Sequence, residues 1–270
     1  MTEIGNTNIL KAFDKMNWYT EQLRNNNGML WYASHYPSID KVTSGIIPWK
    51  VYTIAAYSNV GKSRFSYWYV NHFLKQWKKI VYFSLEVDKG LLIQHLCCNM
   101  YWVYNNDLHD WMIDILDFQN LYIFDDLYNM KWIEEIIVDF KPDICFIDFV
   151  QNISVDGMVW YEAMAFVAKK IQQLAITTNS TIICLSQLSN TTARDISNGK
   201  TDFITLKGAW EFTASSDVIL LLRMIDWQLW ITVAKTKFAQ KPEWEIYFIP
   251  NFGKSEFKLV NDPFNNKEIF

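Results

Sequence analysis

Cysteine is scarce in this sequence and never stands in a CxxC pair; the four are Cys97, Cys98, Cys145 and Cys184. Cys145 and Cys184 fall inside apolar, strand-like runs, so the pattern reads as buried free thiols in a reducing compartment. No apolar run approaches the length that spans a bilayer, and the opening MTEIGNTNILKAFDK lacks the apolar stretch of a signal peptide. The expectation is a cytoplasmic protein with no membrane partner. Basic charge is not in excess either: 25 Lys and Arg face 29 Asp and Glu, for a net charge of −4. A broad cationic nucleic-acid surface is thereby excluded, and any DNA or RNA contact has to come from local patches or from an assembled ring. Internal repeats and low-complexity tracts are absent too.

What is present is apolar and aromatic. Half of the 270 residues are hydrophobic, enough for a sizeable core, and 13 Trp, 14 Tyr and 18 Phe recur within periodic segments. That placement favours core and subunit-interface packing over stacking on bases. Residues 1 to about 30 read as a helical arm ending at the breaker Asn25–Gly28. Strand-like runs then alternate with helical stretches: VYTIAA (Val51–Ala56), IVYFSL (Ile80–Leu85), LYIF (Leu121–Phe124), ICFID (Ile144–Asp148) and TIICLSQ (Thr181–Gln187). VILLL (Val218–Leu222), LWITVAK (Leu229–Lys235) and WEIYFI (Trp244–Ile249) follow with no helix between them. Continuously apolar strands separated by helices predict an α/β fold with a mostly parallel central sheet, helices on both faces and antiparallel C-terminal strands. The domain reading is an arm over 1–34 and one α/β domain over 35–270.

The sharpest feature is AYSNVGKS, Ala56–Ser63, between a strand and a helix. A triphosphate needs backbone N–H groups turned inward on a tight loop at a helix N-terminus, where the dipole favours negative charge. Ser58, Asn59, Val60, Gly61, Lys62, Ser63 and Arg64 are the candidate nucleotide-binding residues. Gly61 permits close approach, Lys62 reaches the β- and γ-phosphates, and the Ser63 hydroxyl ligates Mg2+. Such a site also needs an acid near the metal, a base for the attacking water and a group that reads the γ-phosphate. Asp148, Glu86 and Gln187 each end or directly follow a strand, where an open α/β sheet places its crevice. Asp148 is the natural second holder of the metal.

These segments together resemble the C-terminal ATPase domain of DnaB-type replicative helicases, within the RecA-like P-loop superfamily. The resemblance is carried by GIIPWKVYTIAAYSNVGKS (Gly45–Ser63), VYFSLE (Val81–Glu86), ICFIDFVQ (Ile144–Gln151), IICLSQLS (Ile182–Ser189), SDVILLL (Ser216–Leu222) and VAKTK (Val233–Lys237), in the family's order. Family members often carry Ala at the loop's first position, as here at Ala56. The resemblance implies a RecA-like fold, ATP and Mg2+ as cofactors, and a homo-hexameric ring with ATP at subunit interfaces. It assigns water activation to Glu86, metal binding to Asp148 and γ-phosphate sensing to Gln187. Lys235 and Lys237 match a Lys-x-Arg motif that reaches into the neighbour's site, and loops after Asp148 and Gln187 would contact single-stranded DNA. Arg194 and Lys200 are the phosphate-contact candidates there.

The sequence departs from the family at Lys237, where an arginine is usual and a point charge replaces a planar fork. A Gly usual soon after that motif is absent from Phe238–Trp244. The loop QNISVDGMVW after Asp148 carries no Lys or Arg. Two further readings stay open at this point: a RecA- or KaiC-like accessory ATPase without helicase activity, and a nucleotide-binding scaffold.

Overall fold

The computed structural model describes residues 2–25, 32–34, 36–188, 210–240, 242, 245–254 and 256–261. In chain order the elements are α1 (Thr2–Asn25), α2 (Pro37–Thr43), β1 (Val51–Ala56), α3 (Lys62–Leu74), β2 (Ile80–Ser84), α4 (Lys89–Tyr101) and β3 (Leu121–Phe124). They continue with α5 (Met130–Phe140), β4 (Ile144–Asp148), α6 (Trp160–Thr178), β5 (Thr181–Gln187), α7 (Trp210–Ser215), β6 (Val218–Ile225), β7 (Gln228–Thr236), β8 (Ile246–Asn251) and β9 (Glu256–Asn261).

The strands β1, β2 and β4 are buried at every position, so neither of their faces can meet water. Side chains alternate between two cores. Tyr52, Ile54, Tyr82 and Phe146 pack with α2, α3 and α4, whereas Val81, Phe83, Cys145 and Ile147 pack with α5, α6 and α7. The first core is rich in ring contacts: Phe65 meets Tyr69 edge-on at 5.2 Å, and Tyr36 stacks on Trp68 at 4.7 Å. Tyr67, Phe73 and Phe248 are buried there as well, whereas Trp77, Trp102, Trp111 and Trp227 are exposed. Cys145 and Cys184 lie within the second core, where burial pushes both thiols up.

One nine-stranded sheet runs β3-β2-β4-β5-β1-β6-β7-β8-β9. It is parallel from β3 to β6 and antiparallel from β6 to β9, as the alternation of elements predicts. The registers Ser84↔Asp148, Asp148↔Leu185 and Ala56↔Gln187 bring the C-terminal ends of β2, β4, β5 and β1 to one edge. Three elements go beyond the expected set: α2, α7 and β9. The two helices are a turn or two long and carry little periodic pattern. β9 is a weakly apolar strand whose place is settled by pairing with β8.

The arm is a helix, α1, whose Trp18 and Tyr19 rings meet Trp49 at 5.7 and 6.0 Å. Ile9, Phe13 and Met16 on the same helix are exposed. Tyr32 bridges to Ile46, and the Ser34 amide donates to Asp40, so residues 32–34 are tied to the α/β domain. No helix among the described residues is long and apolar enough to cross a membrane.

Candidate active site

The chain leaves β1 at Ala56, turns through Tyr57–Gly61 and enters α3 at Lys62. Gly61 sits at φ +97°, a left-handed conformation that strains any side chain. A Cβ there would also stand 2.7 Å from the Phe252 ring. No side chain caps α3. Its first amides therefore face the loop without an intrahelical partner, at the positive end of the helix dipole. The candidate anion cup read from the sequence thus falls on a strand-to-helix turn. Val60 is the exception within the loop, because its side chain is buried in the first core and its amide donates to the Tyr57 carbonyl at 3.5 Å.

Beside the cup lies an open pocket of about 360 Å³, lined by Ser58, Asn59, Gly61, Lys62, Ser63, Arg64, Glu86 and Gln187 together with Tyr57, Val87 and Phe252. Lys62 is buried, and its Nζ lies 3.8 Å from Asp148 Oδ1 and 5.1 Å from the Phe149 ring centre. The three strand-end side chains named from the sequence thus converge: Glu86 and Gln187 line the pocket, and Asp148 lies directly behind Lys62. Burial pushes the Asp148 carboxyl up; the charge of Lys62 and the nearby Ser63 and Tyr82 hydroxyls oppose that push. Tyr82 Oη donates to Asp148 Oδ2 at 3.1 Å and is itself 2.9 Å from Ser66 Oγ, whose proton goes to the Ser63 carbonyl at 2.7 Å.

Asp148 Oδ1 is buried and accepts no hydrogen bond. A buried carboxylate oxygen with an open lone pair, next to a serine hydroxyl and a phosphate cup, fits a divalent cation completed by phosphate oxygens. Among the described residues there is no group of three or more His, Cys, Asp or Glu that would hold a metal by protein ligands alone. Ser63 and Asp148 are therefore the residues that would hold one.

The family model for the DnaB-like helicase C terminal domain matches residues 32–228. The chain belongs to that family. The DnaB-like assignment agrees with two solved structures. One, an ATPase domain, superposes with a TM-score of 0.80 at 17% identity, covering 94% of this chain and 99% of that one. The other, a DnaB-like replicative helicase solved for its interactions with primase, superposes with a TM-score of 0.76 at 16% identity. That match covers 92% of this chain and 66% of the helicase. At these identities the two structures attest the shared RecA-like fold, and the family model carries the membership. No curated protein matches the chain. The fold class and the resemblance read from the motifs both stand, and the chain carries a helicase-type ATPase motor domain.

Lys235 and Lys237, just beyond the residues that the DnaB-like model matches, sit away from the cup. Lys235 Nζ donates to the Thr213 carbonyl at 2.5 Å and to the Ala214 carbonyl at 3.3 Å, at the C-terminal end of α7. Lys237 Nζ pairs with Asp217 at 3.0 Å. Because β7 runs antiparallel to β6, with Val218 opposite Thr236, both lysines lie at the end of the sheet where β1 begins. Their own phosphate cup is at the other end, a strand length or about 20 Å away. Arg194 and Lys200 lie outside the described residues.

Phe252 was not anticipated. It stands on the turn between β8 and β9, with its ring centre 5.8 Å from the Arg64 guanidinium carbon, and its carbonyl accepts a hydrogen bond from Arg64. Arg64 and Phe252 are 188 residues apart in sequence. No local pattern at Asn251–Lys254 announces the contact; the nearest signal is Gly253, where a Cβ would stand 2.7 Å from the Tyr104 ring that backs the turn.

Proposed function

We propose that this chain is a Mg2+-dependent ATPase motor that hydrolyses ATP at the subunit interfaces of a homo-hexameric ring and couples turnover to single-stranded DNA. The observation that supports the reading most is the convergence of Lys62, Ser63, Glu86 and Gln187 on one pocket, with buried Asp148 behind Lys62. The α3 amides and Lys62 take the β- and γ-phosphates. Ser63 and Asp148 would hold Mg2+, which when bound would supply neutralisation of the charge on the phosphate oxygens. Glu86 accepts the proton of the attacking water, and the Gln187 amide reads the γ-phosphate. Phe252 offers an aromatic face beside the cup, suited to the adenine base, with Arg64 fixed against it.

The position of Lys235 and Lys237 supports the ring. A lysine held at the far end of the sheet cannot reach its own triphosphate, so a phosphate it contacts belongs to another copy. A head-to-tail contact of that kind closes into a ring when its rotation allows. DNA engagement is assigned to the loops after β4 and β5, the second of which carries Arg194 and Lys200.

Steady-state ATPase with and without single-stranded DNA, alongside Lys62→Ala and Glu86→Gln, tests the reading. Wild-type turnover stimulated by DNA is expected, with Glu86→Gln lowering kcat about 10²–10⁴-fold while ATP still binds. Turnover indifferent to DNA would leave an accessory ATPase of the same fold. Absence of turnover in the wild type would leave a nucleotide-binding scaffold.

A further inference from the structure

β4 ends at Asp148, and the chain passes almost at once into a single 3₁₀ turn, Val150–Asn152. Two consecutive carboxamides on this turn reach to opposite neighbours. Gln151 forms a paired link to the backbone of Gln187: its Oε1 accepts from the Gln187 amide at 3.2 Å, and its Nε2 donates to the Gln187 carbonyl at 3.0 Å. The same Nε2 donates to Ser186 Oγ at 2.8 Å. Asn152 Nδ2 donates to the Leu85 carbonyl at 2.8 Å, one residue before Glu86. The ladder between β4 and β5 ends at Asp148↔Leu185, and that between β2 and β4 ends at Ser84↔Asp148. Past those pairs, the two carboxamides take the place of further rungs.

We propose that Gln151 and Asn152 are positioning residues for hydrolysis, a two-amide crossbar that sets the distance between Glu86 and Gln187 across the pocket. The inference rests on the ATPase reading above. The residue types suit the task. A carboxamide can accept from and donate to the backbone of one residue through two separate atoms, which Gln151 does at Gln187; an ionised glutamate would accept alone, and methionine, nearly its isostere, would do neither. Asn152 must donate to a carbonyl, where an aspartate would set like partial charges together. Reacting groups displaced by about 1 Å can lose on the order of 10² in rate, while the phosphate cup, built on a different loop, keeps its affinity. The crossbar therefore acts on the chemical step and not on nucleotide binding.

Kinetics of the full chain decide the matter. Gln151→Met and Asn152→Leu are each expected to lower kcat about 10- to 100-fold, with KM for ATP and the affinity for fluorescent ADP within about twofold of wild type. Gln151→Met should add nothing further in a Gln187→Ala background, and Asn152→Leu nothing further in a Glu86→Gln background, because each acts through the residue already lost. Multiplicative losses in those double variants, a parallel loss of ADP affinity, or an unchanged kcat would overturn the crossbar. If Gln151→Met does not fold, Gln151→Asn takes its place in the cycle, being too short to span to Gln187; failure of both to fold would mark the residue as structural and overturn the proposal. Wild type and Lys62→Ala in the same assay keep the two readings apart. Turnover that Lys62→Ala abolishes and Gln151→Met leaves intact sinks the crossbar alone. No turnover in wild type sinks the ATPase reading and the crossbar with it.

Discussion

The two ends of the central sheet each hold a lysine–aspartate pair, and the pairs are built differently. At the cup end, Lys62 and Asp148 stand 3.8 Å apart, and both side chains are sealed from water, 7% and 1% exposed. At the far end, Lys237 meets Asp217 at 3.0 Å with its own side chain 42% exposed, and a second cation, Lys50, stands 3.9 Å from the same oxygen. Asp217 also accepts from the Val51 amide at 3.0 Å. The closer pair is thus the more replaceable one. A buried pair held short of hydrogen-bond contact, with one carboxylate oxygen accepting no hydrogen bond, leaves room for a third charged group, whereas an exposed lysine on a doubly served carboxylate is free to exchange partners.

The largest way to sharpen that contrast is to delete each lysine. Lys62→Ala is expected to cut turnover by about 10²–10³-fold or more, read by phosphate release, and to weaken ATP binding. Lys237→Ala should bind ATP normally and lose kcat only in assembled protein. Mixing these two variants should restore roughly a quarter of wild-type turnover, because some interfaces then pair an intact cup with an intact lysine of the neighbour. No recovery on mixing would break the assignment of Lys237 to a neighbouring site. A smaller effect is expected of Lys237→Arg, a rise of a few-fold in kcat, since a planar fork stabilises a charged phosphoryl better than a point charge. An unchanged or lower rate counts against that role.

In stability the order reverses toward the carboxylate. Asp217→Ala orphans the Val51 amide and should cost about 1–3 kcal/mol in urea unfolding, while Lys237→Ala should cost less than about 1 kcal/mol because Lys50 remains.

The smallest contrast lies in acid. Near the far end, on α2, burial pushes the Asp40 carboxyl up to about 6 against the pull of hydrogen bonds from Ser34. Near the cup, on α4, burial and then the charge of Arg64 push the His95 imidazole down to about 4. Between about pH 4 and 6 the folded state keeps a proton on Asp40 that the unfolded chain has released, so this group's contribution falls as pH rises. Over nearly the same window the unfolded chain protonates His95 while the fold does not, so that contribution rises with pH. The two slopes oppose each other. Asp40→Asn should leave stability rising from about pH 4 to 6.5, and His95→Gln should leave it falling from about pH 4 to 6, both read as urea midpoints.

Much of the site was legible in the sequence because its parts are local. AYSNVGKS carries its own loop and helix start, and Glu86, Asp148 and Gln187 announce themselves as polar residues at the ends of apolar runs. Phe252 was not legible, since its contact with Arg64 spans most of the chain, and an aromatic residue in a turn has many ordinary explanations. Gln151 was visible within ICFIDFVQ without a role, because its partners are backbone groups of another strand's end. β9 carried too weak an apolar pattern to be read before its neighbour was in place.

The sequence alone determined which strands are buried, that helices cover both faces, and that a strand–loop–helix turn opens at Lys62, because periodicity and loop chemistry act over a few residues. The tertiary structure decided which strand ends share an edge, that Phe252 closes on Gly61, and that Lys237 lies a strand length from its own cup. Those facts depend on strand order and register, which follow from the packing of the whole core and from no single segment.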